Sequence, residues 1–270
     1  MFRLDEIIDA ATAKLLAAIK AKEPAVLERL LDYIARMDSK GGDFVLSAMN
    51  DNAVALLERY VKSALHDLHW EEDVADFIAG GYDSAAAYAV GLHKELNGIV
   101  VPQSILVKWR QYAVNATIQN LIGAGLASSF SASIKKILAD AVYGGGSLTD
   151  VLKQVREYAK TTPQRKGALL RHVTQVSRDA VGQYAGNVHR IIAKKYELDR
   201  LDYVGGLVKD SRPQCIRWVG MEKILIKDLN AEIEWAQRNG SGLIPGTNAD
   251  NFIVNRGGYN CIHEAIPTRS

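Results

Sequence analysis

Apolar residues recur at intervals of three and four through almost two hundred residues, and then the rhythm stops near Tyr196. That period is the stripe of an amphipathic helix. The first two thirds of the chain is therefore committed to helices packing on helices, and the remainder must be built differently. Leu4, Ile7, Ile8, Ala11, Leu15, Leu16 and Ile19 form the first stripe. A second helix is expected to open at Pro24, since proline is tolerated at the first helical position; it carries Val26, Leu27, Leu30, Leu31 and Ile34 to Gly41-Gly42. A long helical stretch from Phe44 to about Ile78 is expected to break at Gly80-Gly81. Asp83 would then cap a short alanine-rich helix to about Leu96, with a turn at Asn97-Gly98 and Pro102.

The pattern continues with a helix over 103–122, a flexible run Gly123–Ser129, and a helix Ile134–Val142 capped by Ser131 or Ser133. Gly144-Gly145-Gly146 is a stop. Ser147 opens a helix to about Ala159, Thr161-Thr162-Pro163 is a turn, and a long helix runs from about Arg165 to Lys195. After Tyr196, residues 201–208 alternate loosely with β-branched and aromatic side chains and predict a strand. Asp228 is placed to cap a helix Leu229–Arg238, glycine-rich 239–258 reads as loop, and Cys261–Pro267 as a final strand. The expected fold is mainly α: an elongated multi-helix body with a small C-terminal α+β module.

Charge divides the same chain into three regions. Residues 1–100 hold 10 Lys/Arg against 17 Asp/Glu, residues 101–200 hold 15 against 6, and residues 201–270 hold 8 of each. The formal net charge of +2 is therefore a cancellation. The reading is an acidic N-terminal helical region (1–100), a basic helical region (101–200) and the C-terminal module (201–270), with different partners expected for the two charged regions. The basic set is Lys135, Lys136, Lys153, Arg156, Lys160, Arg165, Lys166, Arg171, Arg178, Arg190, Lys194 and Lys195. These could contact DNA phosphates or an acidic partner; with no reader motif in view, any DNA contact would be to the backbone only.

At 270 residues the chain can bury a core without staples, and a composition 48% hydrophobic and 24% charged excludes a disordered polymer. No stretch approaches 18 uncharged apolar residues, so no membrane span is expected. The acidic start MFRLDEII is unlike an export signal, and a cytoplasmic protein is the default expectation. Two cysteines, Cys215 and Cys261, exclude a disulfide-dense scaffold. Together with His263 they supply three of the four ligands that a structural zinc takes; His172, His189 or Asp210 would have to provide the fourth, and no spacing demands it. Buried thiols, a disulfide and a zinc site all remain open on the residues alone. A Cys215–His263 nucleophile pair lacks an orienting third group, Gly144–Gly146 lacks the ending of a phosphate loop, and His66 and His69 beside Glu71, Glu72 and Asp73 read as a polar helix face. No catalytic site, metal or cofactor is expected.

The tail nonetheless carries a pattern. Asp210-Ser211-Arg212-Pro213-Gln214-Cys215, with Gly220 after it, follows the first strand, and Gly257-Gly258-Tyr259-Asn260-Cys261, with His263 two residues on, precedes the last. Between them lies the helix with Glu232, Glu234 and Trp235. Both halves in this order, over roughly Phe130–Pro267, resemble the Mu F-like head morphogenesis family of minor head proteins in tailed bacteriophages. Many members carry a second cysteine beside each of these; here Gln214 and Ile216 flank a lone Cys215. The resemblance implies a structural, non-enzymatic virion protein: a minor capsid component assembled in the host cytoplasm, associated with the portal and other head proteins, and assisting head assembly, DNA packaging or DNA ejection. It marks Asp210, Arg212, Pro213, Cys215, Gly257, Gly258, Tyr259, Asn260, Cys261 and His263 as structural motif residues. Two other readings stay open: a small nuclease or toxin-like module using His263 and Asp210, and a DNA-binding scaffold without portal contact.

Overall fold

The first helix is longer than the periodicity predicts. In the computed structural model, which describes residues 3–102, 104–122 and 124–269, α1 (Leu4–Ala35) runs through Pro24 instead of ending before it. Proline forfeits a backbone donor and crowds the carbonyl four residues back. Here Leu15, Ile19, Val26, Leu30 and Ile34 are buried on both sides of it. Glu23, next to it, is anchored by the backbone N–H and the hydroxyl of Thr161, each 2.9 Å from its carboxylate.

The stretch expected as one helix from Phe44 to Ile78 is divided. β1 (Ser39–Lys40) and β2 (Asp43–Phe44) pair as a hairpin across Gly41-Gly42. α2 (Ala48–His66) follows, with the Ser47 hydroxyl accepting from the Asn50 N–H at 3.2 Å, and α3 (Trp70–Asn97) begins after a break at Asp67–His69. Gly80-Gly81 does not interrupt α3, and Asp83 is no cap: it lies inside the helix, ion-paired with Arg110 at 3.0 Å. A helical hydrogen bond needs no Cβ, so each glycine costs about 1 kcal/mol without ending the helix. The buried Val74, Phe77, Ile78, Tyr82 and Ala85 outweigh that cost.

α4 (Ser104–Leu121) agrees with its prediction. α5 (Ala124–Gly144) begins where a flexible run was expected and holds Ser131 and Ser133 in its interior, not at a cap. Leu126, Ala127 and Phe130 are buried there; small residues around them hid the packing face. α6 (Leu148–Ala159), capped by Ser147, and α7 (Ala168–Tyr196) match the expectation.

The C-terminal module holds β3 (Arg200–Val204), α8 (Pro213–Val219), β4 (Ile224–Leu225), α9 (Leu229–Asn239), α10 (Phe252–Asn255) and β5 (Glu264–Thr268). The sheet order is β4-β3-β5, antiparallel throughout, with β3 and β5 paired from Arg200↔Thr268 to Val204↔Glu264. A mainly α chain with a small α+β module is thus what the residues build. Asp228 sits at the start of α9 but its side chain makes no cap bond. α8 and α10, seven and four residues long, are too short to show a period and escaped the sequence reading.

Packing divides the chain into two compact units: Met1–Ala11 with Ile78–Val114 and Ser177–Ser270, and Thr12–Phe77 with Asn115–Val176. This is a partition by contact, different in kind from the three consecutive regions that charge separates. The first unit buries Tyr82 stacked on Tyr184 at 4.5 Å, with Trp218 and Phe252; the second buries Trp70, Phe130 and Leu57. Among the described residues, no helix is long and apolar enough to cross a membrane.

Candidate functional site

Alternation along β3 turns Leu201 and Tyr203 inward while Arg200 and Asp202 stay partly exposed. Pro213 opens α8 at its first helical position, and the turn it starts carries Gln214, Cys215 and Trp218 into the module's core. The loop before β5 brings Cys261 and His263 to the same place. The Tyr203 hydroxyl lies 3.6 Å from Cys215 Sγ and 3.5 Å from Cys261 Sγ, and Cys261 Sγ is 3.7 Å from His263 Nδ1. The His263 ring stacks on Tyr203 with centroids 5.5 Å apart, and Trp218 meets Tyr203 edge-on at 5.3 Å. Both cysteines are free thiols, and all five side chains are buried.

The loop is held by groups from the first motif half and from α7. Arg212 donates to the Gly257 carbonyl at 3.0 Å and the Tyr259 carbonyl at 2.6 Å. Gln214 donates to the Gly257 carbonyl at 3.1 Å and the Ser241 carbonyl at 2.7 Å, and its oxygen accepts from the Ser241 N–H at 3.1 Å. Asp179, on α7, accepts from the Asn260 N–H at 2.6 Å. Arg256 and Asn260 take φ values of 49° and 55°, and Gly258 takes 112°. Such conformations are rare for side chains with a Cβ and persist only where the surroundings over-determine them. Gly257 must be glycine for a steric reason: a Cβ there would overlap Cys215 Sγ and press on Cys261 Sγ and the Tyr203 hydroxyl.

The two thiols share their environment unequally. Hydrogen bonding from Cys215, then from His263, and the nearby Arg256 charge hold Cys261 well below the usual thiol range. Cys215, the donor to that sulfur and itself buried, is pushed up. Burial, with the two sulfurs beside it, raises Tyr203 well above an ordinary phenol. Burial also raises Asp179, against the opposing effect of the Asn260 N–H.

Among the described residues, Cys215, Cys261 and His263 are the one group of metal-ligand type drawn together. None of the three expected candidates joins them as a fourth. His172 faces the Asn120 carbonyl at 3.4 Å, Asp210 is exposed, and His189 belongs to a second buried set. There His189 Nδ1 is 2.9 Å from His93 Nε2, its Nε2 contacts Glu264, the Tyr88 hydroxyl donates to Glu264 at 2.9 Å, and Asn97 is 2.9 Å from His93 Nδ1. Burial, and then the neighbouring His189, push His93 down to about 3. Of the motif residues, Asp210, Pro213, Tyr259 and Asn260 lie at the surface, and the others form or support the cluster. Sequence reasoning missed Tyr203, Asp179, His93 and Glu264, gave Gln214 no role beyond its place in the motif, and offered His189 as a zinc ligand instead of a partner of His93; only Tyr203 carried a signal, its inward phase on a strand. Glu232 links α8 to α9, accepting from Arg217 at 2.8 and 2.9 Å and from the Trp218 indole at 3.1 Å. His66 and His69 pair with Glu71 and Glu72 on an exposed face, at 2.9 and 3.3 Å.

The basic set separates into two groups. Lys135 pairs with Glu58 at 3.4 Å, Arg178 with Asp9, and Lys194 with Asp250 at 3.1 Å. Arg190 lies over the Trp109 ring at 5.0 Å and Lys195 over Tyr196 at 5.5 Å. Lys153, Arg156, Lys160, Arg165, Lys166 and Arg171, on α6, the turn after it and the start of α7, are exposed, as is Lys136 on α5. None of these seven forms an ion pair among the described residues. No family model, no curated protein and no solved structure matches this chain.

Proposed function

We propose that the chain is a structural protein of a tailed-phage head: a minor component that docks near the portal, touches packaged DNA and catalyses nothing. The observation that carries this reading is the closure of the two motif halves on each other. Arg212, Gln214 and Cys215 from the first half bind or abut Gly257, Tyr259 and Cys261 from the second. The residues by which the chain resembles the Mu F-like family thus pack as one structural unit, and that is what supports the reading. The exposed bases of α6 and the turn after it add a surface suited to sugar–phosphate contact without base readout. Their charge would equally serve an acidic protein ring.

A nuclease in the same module would need His263 to reach a phosphate. His263 is 3% exposed with its ring stacked against Tyr203, and Asp210 lies at the surface outside the cluster. The discriminating experiment is mass spectrometry of purified particles from cells that make this chain, followed by labelling of the chain in intact heads. The expected result is a low-copy component at a single vertex. Absence from the particles would overturn the reading, and a distribution over the DNA with none at the vertex would favour a DNA-binding scaffold without portal contact.

A further inference from the structure

Two sulfurs, an imidazole nitrogen and a phenol oxygen meet inside the C-terminal module, and nothing in the proposed function uses them. A tetrahedral zinc ion binds sulfur at about 2.3 Å, imidazole nitrogen at about 2.0–2.1 Å and oxygen at about 2.0–2.2 Å. Those radii set the edges of its ligand tetrahedron at about 3.8 Å between two sulfurs and about 3.5 Å between sulfur and nitrogen or oxygen. Here the Cys261 Sγ–His263 Nδ1 edge is 3.7 Å, and the Tyr203 hydroxyl is 3.5 Å from Cys261 Sγ and 3.6 Å from Cys215 Sγ. The ligand atoms of Cys215, Cys261 and His263 lie within 4.8 Å of one another. We propose that Cys215, Cys261 and His263 bind one zinc ion, with the Tyr203 hydroxyl as the fourth donor.

The surroundings fit a centre built to hold an ion. The point where a Cβ of Gly257 would stand is 3.0 Å from both Cys261 Sγ and the Tyr203 hydroxyl and closer still to Cys215 Sγ, so glycine keeps one face of the donor set clear of side chains. Cys261 and His263, two apart in the chain, bring a sulfur and a ring nitrogen within 3.7 Å of each other. The donors come from β3, α8 and the loop before β5, so the ion would tie together three pieces that stand far apart in the sequence. Thiolates and imidazole are the ligand types that suit zinc. Zinc binds the two sulfurs as thiolates and the displaced thiol protons pass to the solvent, with no change of oxidation state. The sequence left this site one ligand short because tyrosine is not among the residue types that zinc spacing rules count.

The test uses the full-length chain, purified under reducing conditions without chelator, and does not depend on what the chain assembles with. Elemental analysis is expected to give one zinc per chain, and exchange with Co2+ should give the thiolate charge-transfer and intense visible bands of a tetrahedral cobalt–sulfur centre. Cys215→Ser, Cys261→Ser and His263→Asn should each lose the stoichiometric metal, whereas Lys136→Ala keeps it. Tyr203→Phe should shift the cobalt bands and weaken zinc binding by about tenfold or more; an unchanged spectrum removes Tyr203 from the set and overturns the four-donor centre. Should the cysteine variants fail to fold, alkylation of the native wild-type chain decides. Protection of both thiols that a chelator abolishes supports the site. Protection indifferent to chelator, a chain without zinc that gives no cobalt bands, or a Cys215–Cys261 disulfide overturns it.

Discussion

At the scale of single residues, the C-terminal cluster depends on what is missing at position 257. Gly257→Ala should cost about 1–3 kcal/mol, the usual range for overpacking a filled core, because the new methyl has no flexible neighbour to displace. Gly206→Ala is the control: a Cβ there meets nothing within 4 Å. Urea unfolding of the two variants makes the comparison, and equal midpoints would remove the argument. Cys215, Cys261 and His263 were legible as a set of interest from their types alone. Tyr203 was half legible, since strand alternation puts it inward with Leu201, but nothing in a sequence says that two sulfurs wait there. Asp179 and Gln214 were not legible, for their roles are to hold backbone groups of a loop distant in the chain, and backbone groups have no residue code.

At the scale of elements, the helices were read well where a periodic stripe met a clear stop, and badly where glycine or proline was taken as a stop by itself. α1 passes Pro24 and α3 passes Gly80-Gly81 because burial on both sides exceeds what those residues cost. Gly80→Ala should therefore stabilise the protein by about 0.5–1 kcal/mol, since its Cβ would point into open space; thermal unfolding followed by circular dichroism reads the gain. α3, α7 and β5 are joined by His93, His189 and Glu264, and His93 gives this union a dependence on pH. Burial holds His93 at about 3 in the fold against 6.5 in the free chain. Between those values the unfolded chain takes up a proton that the folded one refuses, so stability is full above pH 6.5 and falls as pH drops toward 3. The slope attributable to one such group is at most about 1.4 kcal/mol per pH unit. His93→Gln should flatten the dependence of unfolding free energy on pH across that window, and a slope identical to wild type would show that other groups govern it. None of this union was visible in the sequence, because the two histidines stand 96 residues apart on stripes that look like ordinary helix faces.

For the molecule as a whole, the cancellation of charge hides where cations are available. Lys135, Arg178 and Lys194 are spent on Glu58, Asp9 and Asp250, whereas Lys153, Arg156 and Lys160 lie on one side of α6 and its end, with no acidic partner among the described residues. If the chain meets DNA, reversing these three to glutamate should weaken duplex binding regardless of sequence. It should also lower the log–log salt slope by about 0.9 for each phosphate that the protein no longer neutralises. Reversing Lys135, Arg178 and Lys194 should affect stability more than binding. Fluorescence anisotropy at a series of salt concentrations separates the two, and equal slopes for both variants would place the DNA-facing surface elsewhere.

The division into two compact units also has a bearing on biosynthesis. The unit Thr12–Phe77 with Asn115–Val176 has all its residues outside the ribosome while much of the other unit is still unmade, since that one draws on Ser177–Ser270 as well as on two earlier segments. Domains tend to fold as they emerge, so the nascent chain passes through a stage with one half settled and Met1–Ala11 and Ile78–Val114 waiting for their partners. Those waiting segments carry Leu4, Ile8, Tyr82 and Ala85, buried in the finished protein. A ribosome stalled just after Val176 has cleared the exit tunnel would display them to solvent, and it is at that stage of translation that the chain has most need of a chaperone.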